Sequence, residues 1–376
     1  MVPNIAVALR GILILVFLAI TKIDLASMCD ELNNVVCMSL SRSEVGRKIR
    51  KWTIWNAGIV LYCVGAFIPV CTLSAVHTAQ LSNQTFTGDL VLKPFHGTVK
   101  MWLYVLLEAL FSWLPYLLSH LILITATTCS IVLFDCCKTV NANLHRLEAN
   151  AAVLCTDSMM KKLQYEERCS GVCSELDALA GELEDLMRTR AAIFHFIERL
   201  NHSLGFVFCL SYLVDIVASG GMLAVLVTNE ERTEVAFPTK LVGTIVFITY
   251  ATFPYVPMVM VTEAADNANY ILYQITIKAY SLIKRQLGTT LNLILGDFRM
   301  MMNMFPIHFT AARIFHIDRN FLVATFSFLF TFAILLEELL GQMSVKALVA
   351  SSTNTSALLQ AVLNSTNAST TELPEN

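Results

Sequence analysis

The sequence predicts an all-α, polytopic membrane protein with six visible spans, an extracellular C-terminus and a helical cytosolic anchor. Three observations carry that expectation. Hydrophobic side chains make up 56% and charged ones 15% of the 376 residues, where soluble domains carry about 45–50% and about 25%. Apolar runs of spanning length recur along the chain, and Lys and Arg gather in alternate segments between them. A net charge of −3 gives no ground for a nucleic-acid partner.

A membrane helix needs about 20 mostly apolar residues. Such runs are Ile5–Ile23, Trp55–Val76, Met101–Phe134, Leu204–Val227, Leu241–Val261 and Phe315–Leu340. The third exceeds one perpendicular span, so it tilts or projects beyond the bilayer.

Basic residues concentrate in cytoplasmic loops. Arg42, Arg47, Lys48, Arg50 and Lys51 precede the second run, and Lys138, Arg146, Lys161, Lys162, Arg168, Arg188, Arg190 and Arg199 separate the third from the fourth. Lys278, Lys284, Arg285, Arg299, Arg313 and Arg319 follow the fifth. The other loops hold only Lys93 and Lys100, or Arg232 and Lys240, and Lys346 follows Leu340. This alternation puts the C-terminus outside. Glycosylation sequons agree: Asn83 falls in the first outer loop, and Asn354, Asn364 and Asn367 crowd the tail. A fifth match, Asn201-His202-Ser203, falls on the inner side.

Parity makes Ile5–Ile23 run inward with Met1 outside. A cleaved signal peptide would put the Arg42–Lys51 cluster outside, and no small-residue cleavage site follows the run. The expectation is therefore a chain that starts almost directly in a helix, with a preceding seventh helix missing.

The expected organisation is 1–134 N-terminal transmembrane helices, 135–203 a cytosolic helical loop and 204–262 a transmembrane hairpin. A cytosolic helical segment at 263–314, the last helix at 315–341 and an outer tail at 342–376 complete it. Within the cytosolic loop, Leu176, Leu179, Leu183, Leu186, Ile193, Ile197 and Leu200 follow a seven-residue repeat broken once at Arg190. Such a stripe needs a partner helix, and Ile271, Ile275, Ala279, Leu282 and Leu291 offer another. The inner helices then form a bundle holding the spans, and either subunits or one chain alone, together.

The 11 cysteines show no framework spacing, and Cys136-Cys137 and Cys169/Cys173 lack a second half for zinc. They read as reduced thiols, with palmitoylation at Cys136 or Cys137 as the alternative. No phosphate-binding glycine loop, HExxH or GxSxG is present, so neither an enzyme nor a cofactor is expected.

Ionisable groups within spans are costly and face a cavity or a partner. Asp215, near the middle of its span, can contact a ligand, pair with another polar side chain, or be protonated. Glu108, Trp113, Tyr116 and His120 share the third run, while Tyr250, Phe253 and Tyr255 lie on the fifth. Together they can build an aromatic small-molecule pocket with few polar groups, or serve as packing and interface residues. Pro254 and Pro257 remove backbone donors and kink the fifth run, which shapes the pocket, hinges gating, or simply bends the helix.

The last run carries a recognisable pattern from Phe309 to Gly341. Thr331-Phe332 are followed by Ala333, Ile334, Leu335, Leu336 and Glu337, then Glu338-Leu339. This resembles the closing Thr-Tyr, five hydrophobic residues, Gln-Phe of arthropod gustatory receptors, within the insect chemoreceptor superfamily of ligand-gated ion channels. Phe for Tyr and Leu for Phe are mild departures; Glu for Gln is a larger one. Upstream, Phe315, Ile317, Asp318, Arg319 and Leu322 resemble the family's approach to that helix, and Ile197, Leu200, Asn201 and Gly205 its approach to the fifth.

The resemblance implies a gustatory receptor of the plasma membrane acting as a ligand-gated non-selective cation channel. Implied partners are a small-molecule ligand, monovalent and divalent cations, the bilayer, and related subunits in a homo- or hetero-tetramer. The last helix of each subunit then lines the pore. By position Glu338 replaces the family's pore-facing Gln, and four copies form an acidic ring that attracts cations; Glu337, Leu335 and Leu339 flank it, the leucines as an apolar constriction. The alternatives are acids reaching into solvent and leucines contacting lipid. A G-protein-coupled receptor would instead put the tail inside, and a secondary transporter should show repeated halves.

Overall fold

A computed structural model describes residues 2–22, 24–81, 89–92, 97–100, 103, 106–107, 110, 114–160, 169–227, 236–283, 289–335 and 338. Their architecture is a bundle of long helices. In chain order these are α1 (Val2–Thr21), α2 (Leu25–Ser39), α3 (Arg42–Leu81), α4 (Leu114–Met160), α5 (Cys169–Val227), α6 (Ala236–Thr252), α7 (Val256–Ile283), α8 (Thr289–Met304) and α9 (Arg319–Leu335). Leu114–Leu154, Ser174–Ala224 and Leu241–Tyr280 are long and apolar enough to cross a membrane, and α9 is a shorter apolar helix. Two antiparallel hairpins interrupt the helices: β1 (Asp89–Leu92) with β2 (Gly97–Lys100), and β3 (Thr310–Ala311) with β4 (Phe315–His316).

Helix α1 does not run straight into α2; the two axes meet at 82°. Lys22 takes a positive φ of 44°, and Asp24 caps α2 by accepting from the Ser27 N–H at 3.0 Å. The bend sends α2 across α5, where Arg199 pairs with Glu31 at 2.7 Å and donates to Ser27 Oγ at 2.8 Å.

The heptad leucines lie along α5, which is continuous from Cys169 to Val227. Leu176, Leu179, Leu183, Ile193, Ile197 and Leu200 are buried, in one apolar cluster with Leu144 and Leu147 of α4 and Leu295 and Phe298 of α8. Ile271, Ile275 and Ala279 of α7 join the same cluster. Arg190 breaks the repeat and is nevertheless buried. Its Nη1 donates to the Phe305 carbonyl, 3.4 Å away at the C-terminal end of α8, where the helix dipole favours a cation.

Between α6 and α7 the helix tightens into a 3-10 turn at Phe253–Tyr255. Pro254 and Pro257 cannot donate to the preceding turn. The Pro254 carbonyl is bonded by Thr127 Oγ1 of α4 at 3.2 Å, so the irregular turn is tied to its neighbour.

One boundary is corrected. The apolar pattern starts the last span at Phe315, but the helix begins at Arg319. Phe315 is a strand residue paired with Ala311, and Asp318 supplies the cap, accepting from the Phe321 N–H at 2.8 Å. A side chain that bonds the free N–H groups of a first turn sets a helix start more firmly than hydropathy does.

The β3–β4 hairpin explains the Asn201…Gly205 spacing. Asn201 Nδ2 donates to the His308 carbonyl at 2.8 Å, and its Oδ1 accepts from the Thr310 N–H at 3.0 Å. One turn later the Gly205 carbonyl accepts from the Ala312 N–H at 2.8 Å. A Cβ on Gly205 would stand 3.1 Å from that nitrogen and 3.3 Å from the Thr310 oxygen. Asn201 is buried, so this sequon is spent on packing. Asn201→Ala is expected to cost about 1–3 kcal/mol through the backbone groups it leaves unpaired, read as a lower melting temperature in detergent. Gly205→Val should lower it further, because backbone rather than a movable side chain must give way.

Candidate functional site

At its middle, α1 is pressed against the beginning of α4 by a glycine. A Cβ on Gly11 would lie 2.5 Å from the Pro115 carbonyl carbon and 2.7 Å from the Tyr116 nitrogen. No side chain fits there, and the close approach sets the neighbouring Arg10 into the bundle. Its guanidinium carbon stands 4.7 Å from the centre of the Tyr116 ring.

Arg10 is fully buried, as are its partners from α4 and α5. Its Nη1 forms an ion pair with Asp215 Oδ1, an oxygen that also accepts from the Tyr116 hydroxyl at 3.1 Å. Arg10 Nη2 lies 2.8 Å from His120 Nδ1. A guanidinium can only donate, so Nδ1 is the acceptor and the neutral imidazole carries its proton on Nε2. The remaining polar atoms are unsatisfied: among the described residues Asp215 Oδ2, His120 Nε2, Arg10 Nε and Ser211 Oγ have no hydrogen-bond partner. A buried ion pair is tolerated when its charges balance, and its open hydrogen-bonding positions each carry a cost. Two of these atoms are N–H donors, one is a carboxylate acceptor and one a hydroxyl, a set that water or a hydroxyl-bearing molecule can satisfy.

An aromatic wall adjoins the charges. His120 lies 4.2 Å from the Tyr250 ring of α6 and 5.2 Å from that of Tyr116, while Tyr62 of α3 meets Tyr250 edge-on at 6.2 Å. The structure therefore brings together Tyr116, His120, Asp215 and Tyr250. It adds Arg10, which the sequence analysis does not single out. The signal was available, since one positive and one negative residue buried in separate spans are natural partners.

Tyr255 belongs to a different layer. Its hydroxyl donates to the Phe208 carbonyl at 3.0 Å, and its ring packs with Tyr212 and Phe321. The Tyr212 and Thr325 hydroxyls are 2.6 Å apart, so this layer ties α5 and the 3-10 turn before α7 to α9. Asp215 and Tyr212 are neighbours along α5, and the polar cluster is thereby one helical turn from the packing of the last helix.

On α9, Thr331 is exposed, and Phe332 stacks with Phe328 at 6.0 Å and rests over Gly220 of α5. Leu335, Phe326, Phe330 and Glu338 are exposed in the single chain. Glu108, Trp113, Glu337 and Leu339 lie outside the described residues, as do Asn83, Asn354, Asn364 and Asn367. Among the described residues no group of His, Cys, Asp and Glu is arranged to hold a metal ion.

Residues 32–336 match the family model described as 7tm Chemosensory receptor. The chain belongs to that family. A search of the curated proteins finds no match. Among solved structures, this chemosensory receptor is similar to the insect olfactory receptor OR5 from Machilis hrabei. The TM-score is 0.57 at 13% identity, over 87% of this chain and 78% of that one. The same receptor in complex with eugenol matches with a TM-score of 0.52 at 12% identity, over 90% and 81% of the two chains. At such identity the likeness establishes the fold alone, that of an all-α, polytopic membrane protein. Arg10 stands ahead of the residues that the family model matches.

Proposed function

We propose that this chemosensory receptor is a ligand-gated, non-selective cation channel of the gustatory type, working in the plasma membrane with its C-terminus outside. The observation that carries the reading is the buried set Arg10, Tyr116, His120, Asp215 and Tyr250, polar at one side and aromatic at the other. That combination suits a small molecule better than an ion or a peptide. The family membership supports a chemical stimulus, and the eugenol complex of OR5 shows that a receptor of this fold holds one.

In this reading a small molecule enters beside the Arg10–Asp215 pair and is held by its open donors and acceptor. Binding biases α5 against α9 through Tyr212, Thr325 and Phe332, and four copies of α9 part around a central path lined by Glu338. The exposed apolar side chains of α9 support contacts beyond a single chain. A ligand can open such a path only if it binds the open arrangement more tightly than the closed one.

Whole-cell recording from cells expressing the chain alone, challenged with a panel of phenols, terpenes and sugars, tests the proposal. The expected response is a current carried by Na⁺ and K⁺ that persists when G-protein signalling is blocked. A response that disappears with the G-protein block, or that follows the chloride gradient, would overturn it.

A further inference from the structure

An open apolar cleft runs between α3 and the α6–α7 junction, and Tyr62 at its edge meets the Tyr250 ring of the aromatic wall. One section of about 250 Å³ is lined by Lys51, Phe134, Val256 and Met260. A second, of about 460 Å³, is lined by Gly58, Tyr62 and Thr249, and both share Trp55, Ile59 and Phe253. Trp55 and Phe253 remain 51% and 40% exposed, and a Cβ on Gly58 would meet nothing within 4 Å. The cleft is therefore unfilled by the described chain.

Its two ends differ. Lys48 and Lys51 precede Trp55, Ile59 and Tyr62 at intervals of three and four, on one face of α3, with Arg47 beside them. Lys51 stands 3.6 Å from Asp135, a carboxylate also bonded by Trp52 Nε1 at 2.8 Å. Lys48 Nζ donates to two neutral oxygens, the Asp135 carbonyl at 3.5 Å and Thr139 Oγ1 at 3.2 Å. Glu44, the other acid nearby, is engaged by the Ser41 N–H and hydroxyl. With Arg50, the cations outnumber the acids at this mouth.

We propose that the cleft is a binding site for one anionic phospholipid. An acyl chain lies along Trp55, Ile59 and Phe253, and the phosphate is held by Lys48 and Lys51. The pairing is complementary at both ends: a lysine ammonium suits phosphate as a point charge, Trp favours the level of the headgroups, and the apolar section continues from there. A neutral odorant would leave the cations idle, and a second copy of the chain would have to bring acids to them. The inference stands apart from the ligand-gating proposal.

Trp55 reports the occupant directly. The full chain is reconstituted in phosphatidylcholine vesicles containing a minor fraction of lipid with brominated acyl chains, which quench tryptophan on contact. Subtracting the Trp55→Phe signal isolates Trp55. Brominated phosphatidylglycerol is expected to quench it more than brominated phosphatidylcholine at equal fraction. Lys48→Gln and Lys51→Gln should each lower that preference by up to about fivefold. Gly58→Leu, which fills the cleft in a helix that tolerates Leu well, should reduce quenching by both lipids. Equal quenching by the two lipids overturns the site. So does an unquenched Trp55, which means protein covers the cleft, or a preference that Gly58→Leu leaves intact, which means diffuse surface attraction.

Discussion

Asp215→Ala is expected to destabilise the receptor by about 3–5 kcal/mol, because it leaves the Arg10 guanidinium buried without its counter-charge. The Arg10 side chain is fully buried and its other partners, Tyr116 and His120, are neutral. Arg10→Ala should cost a similar amount by stranding the carboxylate. Both are read as loss of the monodisperse peak in detergent on heating and as reduced surface biotinylation. The informative variant is the double exchange Arg10→Met with Asp215→Leu. Replacing both charges with apolar groups of similar volume removes the desolvation cost along with the attraction, so stability should return to near that of the natural chain. Stimulus-evoked current should not return, because the open donors and acceptor have gone with the charges. A double variant that folds and still responds would reduce the pair to a structural device and move the ligand elsewhere.

Glu338→Lys is expected to abolish cation current while leaving surface delivery intact. Glu338, three positions beyond the Leu335 end of α9, is exposed in the single chain, so its substitution disturbs no packed contact among the described residues. If four subunits present this carboxylate to one path, each attracts a passing cation by about 1 kcal/mol at 4 Å even in water-like surroundings. Neutralising all four by Glu338→Gln should therefore lower single-channel cation conductance, most strongly at low ionic strength, where screening is weakest. Reversing them should exclude cations. Unaltered conductance and selectivity in both variants would place Glu338 in solvent at the membrane edge and return the constriction to Leu335 and its neighbours.

What was legible in the sequence was whatever depends on local pattern. The heptad of α5 specified a buried stripe, and Leu176, Leu183 and Ile197 are in the core. Pro254 and Pro257 marked the break between α6 and α7. Polar and aromatic residues in apolar runs are conspicuous, so Asp215 stands out on its own and Tyr116 and His120 group with Tyr250 as candidates for one pocket. What joins them is long-range: Gly11 sets the approach of α1 to Pro115, and through it Arg10 meets Asp215. Hydropathy averages a single arginine away over a span, and spacing along the chain holds no record of that meeting. The β3–β4 hairpin was hidden for a related reason. Strands of two residues leave no alternation to read, and the hairpin is held by Asn201 and Gly205 from a distant helix. Resemblance singled out those two residues; the structure supplies their physical role. Tyr255 shows the converse, because an aromatic near the others in sequence packs one layer away, on α9.

The inverted topology is what separates a pore built from last helices from a receptor that signals through G proteins. An epitope at Asn376, stained on intact and then permeabilised cells with surface delivery confirmed by biotinylation, tests it most directly. Labelling of intact cells is the predicted result. Labelling only after permeabilisation, with the protein demonstrably at the surface, would contradict the channel account.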